Sequence, residues 1–175
     1  MKRIKLVFAV LLAFVAVLAV VGMLLPRDVR VERSVTINAP TAEIYPAISN
    51  LRTFTDWSPW AKYDPNMQNT FSGPDEGTGA KMEWSSDDAS LGKGSMEIVG
   101  TAEDRIDIAL EFDDMAAQSY WEFAEMETGT RVTWGVDTDM GAGPVGRWMG
   151  LMMDNWIGPD YEEGLANLKA FVEAE

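Results

Sequence analysis

From Asp28 onward the chain alternates apolar and polar residues in short runs, and after Pro144 it changes period. The clearest run is Arg105–Phe112, where Ile106, Ile108, Leu110 and Phe112 fall on one face with Arg105, Asp107, Ala109 and Glu111 on the other. A period of two with one polar face predicts a strand of an antiparallel sheet that is buried on one side only. The same pattern predicts strands over residues 28–39, 69–72, 80–85, 94–100, 119–125 and 130–137. In the first of these Val29, Val31, Val35 and Ile37 share a face that Arg33 interrupts. Arg33 is expected to pair with an acidic neighbour or reach solvent rather than to meet a ligand's carboxylate. Turn-forming clusters separate the runs: Gly73-Pro74-Asp75-Glu76-Gly77, Ser86-Asp87-Asp88, Asp113-Asp114 and Glu127-Thr128-Gly129.

Two segments carry helical spacing. Thr41 is the expected N-cap of a short helix through Ile44, Ile48 and Leu51, limited to little more than two turns by Pro46. Residues 54–66, with Trp57-Ser58-Pro59-Trp60, are expected to be loop, the two tryptophans fastening it to the core or capping a cavity mouth. Near the C-terminus Pro144 suits the first turn of a helix, and Val145, Trp148, Met149, Met152 and Trp156 are spaced for one face. Gly158-Pro159-Asp160 should kink or break it, before Tyr161, Leu165, Leu168 and Val172 resume a face. A sheet with one apolar face must cover that face, and this helix is the element long enough to do so. The expected fold is therefore α+β: a curved antiparallel sheet wrapped around a long C-terminal helix, with a cavity between them.

A separate unit precedes this domain. Residues 6–25 form an apolar run with only Gly22 as a small interruption. Twenty helical residues reach about 30 Å, the thickness of a bilayer core. A cleaved signal has a shorter apolar stretch and a small-residue cleavage site, which Val20-Val21-Gly22-Met23-Leu24-Leu25 lacks. Residues 1–27 are thus expected to be an uncleaved transmembrane anchor and residues 28–175 the folded domain. Lys2, Arg3 and Lys5 favour a cytoplasmic N-terminus and an extracytoplasmic domain, although Arg27, Arg30 and Arg33 balance the count.

Charge and composition exclude several functions. All 28 acidic residues lie from Asp28 onward but only ten of the 14 basic ones, a net −18 that repels nucleic acid and anionic headgroups. The chain has no histidine and no cysteine, which removes disulfides, thiolate catalysis and the commonest metal ligands. Gly141-Ala142-Gly143-Pro144-Val145-Gly146 matches a dinucleotide fingerprint in spacing alone, because no strand follows the helix to complete a βαβ unit. The carboxylate clusters Asp113-Asp114, Glu125 with Glu127, and Asp137 with Asp139 fall at strand ends or turns, where solvation leaves them little acid–base power.

The order of elements resembles the helix-grip superfamily of START lipid-transfer domains, birch-pollen-type allergens and polyketide cyclases, often called SRPBCC. It looks like the membrane-anchored bacterial branch usually labelled polyketide cyclase/dehydrase and lipid transport. The matching residues are Val31-Glu32-Arg33-Ser34-Val35-Thr36-Ile37-Asn38-Ala39-Pro40, Trp57-Ser58-Pro59-Trp60 with Asp64-Pro65-Asn66, Gly92-Lys93-Gly94-Ser95-Met96, Gly129-Thr130-Arg131-Val132-Thr133-Trp134, and Gly158-Pro159-Asp160 followed by Gly164-Leu165-Ala166-Asn167-Leu168-Lys169. The resemblance implies a hydrophobic-ligand cavity between sheet and helix, and carries over no catalytic residue.

The expected lining of that cavity is Met82, Trp84, Met96, Ile108, Leu110, Trp121, Phe123 and Trp134 from the sheet, with Trp148, Met152 and Trp156 from the helix. The expected partners are a small hydrophobic, lipid-like ligand and a membrane, with no cofactor and no metal. Binding is the favoured activity. An inward-facing pair of Asp, Glu or Tyr residues would instead favour a cyclase or dehydratase. A cavity too small for a ligand would favour a structural or interaction domain.

Overall fold

Seven alternating segments become seven strands, and each pairs antiparallel with its neighbours. A computed structural model describes residues 2–88, 90–112 and 115–174. The strands are β1 (Asp28–Ile37), β2 (Gln68–Ser72), β3 (Lys81–Ser85), β4 (Lys93–Ala102), β5 (Arg105–Phe112), β6 (Met115–Glu125) and β7 (Thr130–Asp139). Their order in the sheet is β1-β7-β6-β5-β4-β3-β2. The helices are α1 (Lys2–Leu24), α2 (Thr41–Ser49), α3 (Leu51–Trp57), α4 (Pro144–Gly150) and α5 (Met153–Glu173). The expected Asp113-Asp114 turn lies outside the described residues.

Because β1 and β2 occupy opposite edges, the chain between them must cross the whole width of the sheet. It does so over the apolar face through α2, α3 and a 3₁₀ turn, Pro59–Lys62. Residues 54–66 are thus more ordered than expected. Pro59 opens a turn rather than breaking one, since its missing N–H is unpaired at a first helical position anyway. Ser58 Oγ accepts the Trp60 N–H at 3.4 Å, and Asn50 Oδ1 caps α3 by accepting from Arg52 and Thr53. Thr41 is the first helical residue rather than the cap, which Pro40 occupies without a side-chain hydrogen bond.

The C-terminal helix breaks earlier than expected. Helical geometry is interrupted at Leu151–Met152, while α5 runs unbroken through Pro159. Proline disfavours helical geometry in its predecessor through a clash with that residue's Cβ, and the predecessor here is Gly158. Gly158 also makes room for Arg33: a Cβ there would stand 2.2 Å from the guanidinium Nη2. Arg33 donates to Asp154 at 2.9 Å and to Glu162 at 2.7 Å, so one arginine on β1 clamps two turns of α5. The expected pairing with acidic neighbours is what the structure shows.

This clamp predicts a pH dependence. Arg33 holds the Asp154 carboxyl below its usual 3.8. A carboxyl depressed in the folded state stabilises it above the unfolded pKa, and that contribution is lost as pH falls through the folded value. Arg33→Met should therefore lower the urea midpoint near neutrality, and the gap to the parent should close below about pH 4. An undiminished gap in acid would show that Arg33 acts by packing alone.

Every buried residue of the core cluster lies between Val31 and Val172. The segment from Asp28 onward therefore contains a complete core of its own. Helix α1 stands outside it, with only 6 % of its most apolar window buried, and is long and apolar enough to cross a membrane.

Candidate functional site

The concave face of the sheet is set by alternation. On β5 Ile106 is fully buried, Ile108 is 5 % exposed, Leu110 is half-buried and Phe112 is 39 % exposed. Their partners on β6 are Trp121, Ser119, Ala117 and Met115 in the same order, with no break in register. Exposure therefore climbs along one face from Ile106 and Trp121 outward, ending at Met115, 51 % exposed.

The middle of the face is sealed by aromatic rings. Trp134 on β7 stacks on Tyr161 of α5 at 4.0 Å and 5°, and on its cross-strand partner Trp121 at 4.5 Å and 17°. Trp60 meets Trp134 edge-on at 5.4 Å, and Trp57 meets Trp121 edge-on at 5.8 Å. Gly164 on α5 permits this approach, since a Cβ there would lie 2.7 Å from the Trp134 ring and 3.1 Å from Pro59. Trp57 is itself pinned, donating its Nε1 proton to the Ala47 carbonyl at 3.0 Å. Trp57 and Trp60 fasten the crossing segment to the core, the first of the two roles expected for them.

Few polar groups are sealed in with the rings. Trp134 Nε1 donates to Ser119 Oγ at 3.2 Å, and Ser119 Oγ donates to the Gly135 carbonyl at 2.9 Å. The Tyr161 phenol is pushed far above its ordinary value by burial, partly offset by the Ser119 hydroxyl, and so stays protonated. Among the described residues no three potential metal ligands come together.

Beyond the rings the face opens. Trp84 on β3 lies flat across Gly94, where a Cβ would stand 2.2 Å from the indole, and reaches Phe112 edge-on at 4.9 Å. Its Nε1 donates to the Leu91 carbonyl at 3.1 Å, so the ring is fixed. Leu110, Phe112, Met115 and Ala117 continue the apolar surface past it without a helix on top. They form an apolar strip of the concave face that runs from the ring stack to the exposed Phe112–Met115 pair.

Two cavities lie elsewhere. One of about 30 Å³ sits between Leu51, Phe71 and Pro74, with room for about one water. Another of about 320 Å³ is an open depression among Arg105, Glu122, Arg131 and Thr133. These side chains belong to the convex face, opposite Trp121 and Trp134. On that face Tyr120 donates to Glu32 at 2.9 Å beneath Arg105, and burial with this hydrogen bond pushes its phenol up to about 12.

The eight expected sheet residues all reach the concave side, and all but Leu110 are buried. The three expected helix residues do not: Trp148, Met152 and Trp156 are 36 %, 48 % and 47 % exposed. These side chains stand outside the core, and Trp148 packs on α1, donating its Nε1 proton to the Leu18 carbonyl. Met115, Ala117 and Tyr161 were not expected at the site. Tyr161 had the helical spacing, whereas Met115-Ala116-Ala117-Gln118 carries no alternation that would extend β6.

Comparison with known proteins agrees with this geometry. The profile of the polyketide cyclase / dehydrase and lipid transport family matches residues 28–173. A solved structure from Rhodobacter sphaeroides superposes with a TM-score of 0.62 at 17% identity, covering 83% of this chain and 93% of the other. The di-domain ARO/CYC protein StfQ of the steffimycin biosynthetic pathway gives 0.61 at 12% identity over 84% of this chain and 51% of its own. An uncharacterised protein from Rhizobium leguminosarum gives 0.57 at 19% identity, over 85% of this chain and 96% of the other. No curated protein matches significantly. Likeness at such low identity speaks for the helix-grip fold alone, but the profile spans the whole folded domain: the chain belongs to the polyketide cyclase / dehydrase and lipid transport family of the SRPBCC superfamily.

Proposed function

We propose that the protein binds a small hydrophobic, lipid-like molecule on the apolar strip between the ring stack and the Phe112–Met115 pair, while α1 holds it at a membrane. The observation carrying this reading is the uncovered end of the concave face, where Phe112 and Met115 remain 39 % and 51 % exposed on a face otherwise buried. An apolar molecule laid there would remove that surface from water at about 25 cal/mol per Å². The membrane reading rests on the length and apolarity of α1, with the N-terminus in the cytoplasm and the domain outside.

Binding is favoured over catalysis by the placement of polar groups. The inward-facing Tyr161 and Ser119 lie under the ring stack, beyond the reach of a molecule on the open strip. The filled middle also favours binding at the end of the face over binding in a central cavity. The test is native mass spectrometry of the segment from Asp28 to Glu175 made in its native host, followed by organic extraction. One apolar molecule per chain is the expected result. An empty chain whose tryptophan emission ignores a panel of apolar ligands would leave a structural domain as the better account.

A further inference from the structure

Residues 140–153 form the longest stretch after Asp28 without an acidic residue, and Arg147 is their only charge. In a chain with 28 carboxylates this gap is a local exception to a solvating surface. It coincides with exposed apolar side chains. Val145 is 71 % exposed, Met149 44 %, Leu151 54 % and Met152 48 %, and Trp148 and Trp156 are also open. Val145 and Met149 lie four residues apart on one side of α4, and the exposed Met152 and Trp156 follow across the interruption.

This surface adjoins the apolar helix. A Cβ at Gly22 would stand 2.7 Å from Pro144 and 2.8 Å from the Trp148 indole nitrogen. Trp148 Nε1 donates to the Leu18 carbonyl at 3.0 Å, and Arg147 donates to the carbonyls of Met23 and Leu25 at 2.5 and 3.1 Å. From Leu18 to Leu24 a helix rises about 9 Å. Helix α4 thus lies alongside the last 9 Å or so of α1, where α1 ends its apolar run.

We propose that α4 and the first turn of α5 are a lipid-docking surface that lies in the outer part of the bilayer entered by α1. This rests on α1 spanning a membrane. An interfacial helix buries its apolar face about 5–10 Å deep, the depth that contact with Leu18 dictates. Two tryptophans and one arginine at this level match the side chains that settle at a membrane–water boundary. Residues 140–153 hold no carboxylate to resist desolvation there, and Asp154 in the first turn of α5 is paired with Arg33. The domain is thereby held against the bilayer by two elements instead of swinging on one.

The test uses the full chain reconstituted into phosphatidylcholine vesicles, with or without bromine on the acyl chains near the headgroup. Flotation first establishes that the chain is in the vesicles. Brominated lipid should then quench tryptophan emission in the parent chain, and Trp148→Phe with Trp156→Phe should abolish the quenching. Met149→Glu, which restores a charge to this surface without touching a tryptophan, should weaken it. A chain that floats yet shows equal emission in both lipids overturns the docking surface and leaves the anchor standing, and so does cross-linking that places Trp148 and Trp156 against a second copy. A chain that fails to float overturns the anchor, and the docking surface with it.

Discussion

Trp134→Ala should lower the stability of the domain by about 3–5 kcal/mol, the usual cost of deleting a large buried aromatic ring. The ring has lost nearly all access to solvent, at 3 % exposed. It is the shared member of two stacks, with Tyr161 at 4.0 Å and Trp121 at 4.5 Å, and of edge contacts with Trp57, Trp60 and Phe54. Removing it unpacks both sheet and helix, and leaves the Ser119 hydroxyl without the indole proton it accepts. Against a total of about 5–15 kcal/mol for a domain, that loss is a large fraction. The thermal midpoint should fall by roughly 10 °C, at about 2–4 °C per kcal/mol for a chain of this size. Trp156→Ala, which removes an indole of equal size that is 47 % exposed, should cost less than about 1 kcal/mol. Equal losses at the two positions, measured by urea unfolding of the segment from Asp28, would contradict the placement of the ring stack.

That contrast shows where residue spacing was informative. Alternation on β5 put Ile106, Ile108, Leu110 and Phe112 on one face, and the register with β6 places them so. Period 2 has two solutions and a sheet with one polar face selects between them. The helical stripe of Val145, Trp148, Met152 and Trp156 had no such selection. Spacing says which residues share a face, and the direction of that face depends on what else is present to cover it. Here an apolar helix outside the domain packs on α4, and Trp148 turns toward Leu18. The filling of the middle of the face has a related cause. Trp57 and Trp60 lie in a segment without helical period, and only the crossing from edge to edge brings them over Trp121 and Trp134. The rings expected to line a space instead fill it. Pro159 misled in the other direction, because the helix it should have broken is preserved by the glycine before it and the clamp of Arg33.

With the middle of the face filled, the proposed ligand binding depends on its open end, and Ala117→Trp should weaken it at least tenfold. Ala117 is half-buried on β6 opposite Leu110, in the middle of the proposed binding strip. An indole there adds about 150–250 Å² of aromatic surface in the space a ligand would take. The strand itself tolerates the change, since aromatic residues suit strands better than alanine. Ala116→Trp supplies the control: Ala116 pairs with Glu111 and points to the convex face, one residue away in sequence but across the sheet. The probe should be a neutral apolar fluorophore such as N-phenyl-1-naphthylamine, because a net −18 repels the usual anionic dyes. In the segment from Asp28, Ala117→Trp should weaken probe binding at least tenfold, a loss of about 1.4 kcal/mol or more. Ala116→Trp should leave it unchanged, with both variants melting close to the parent. Probe binding that survives Ala117→Trp would move the ligand off this strip, and the polar depression at Arg105 and Arg131 is too charged at its rim to hold an apolar molecule in its place.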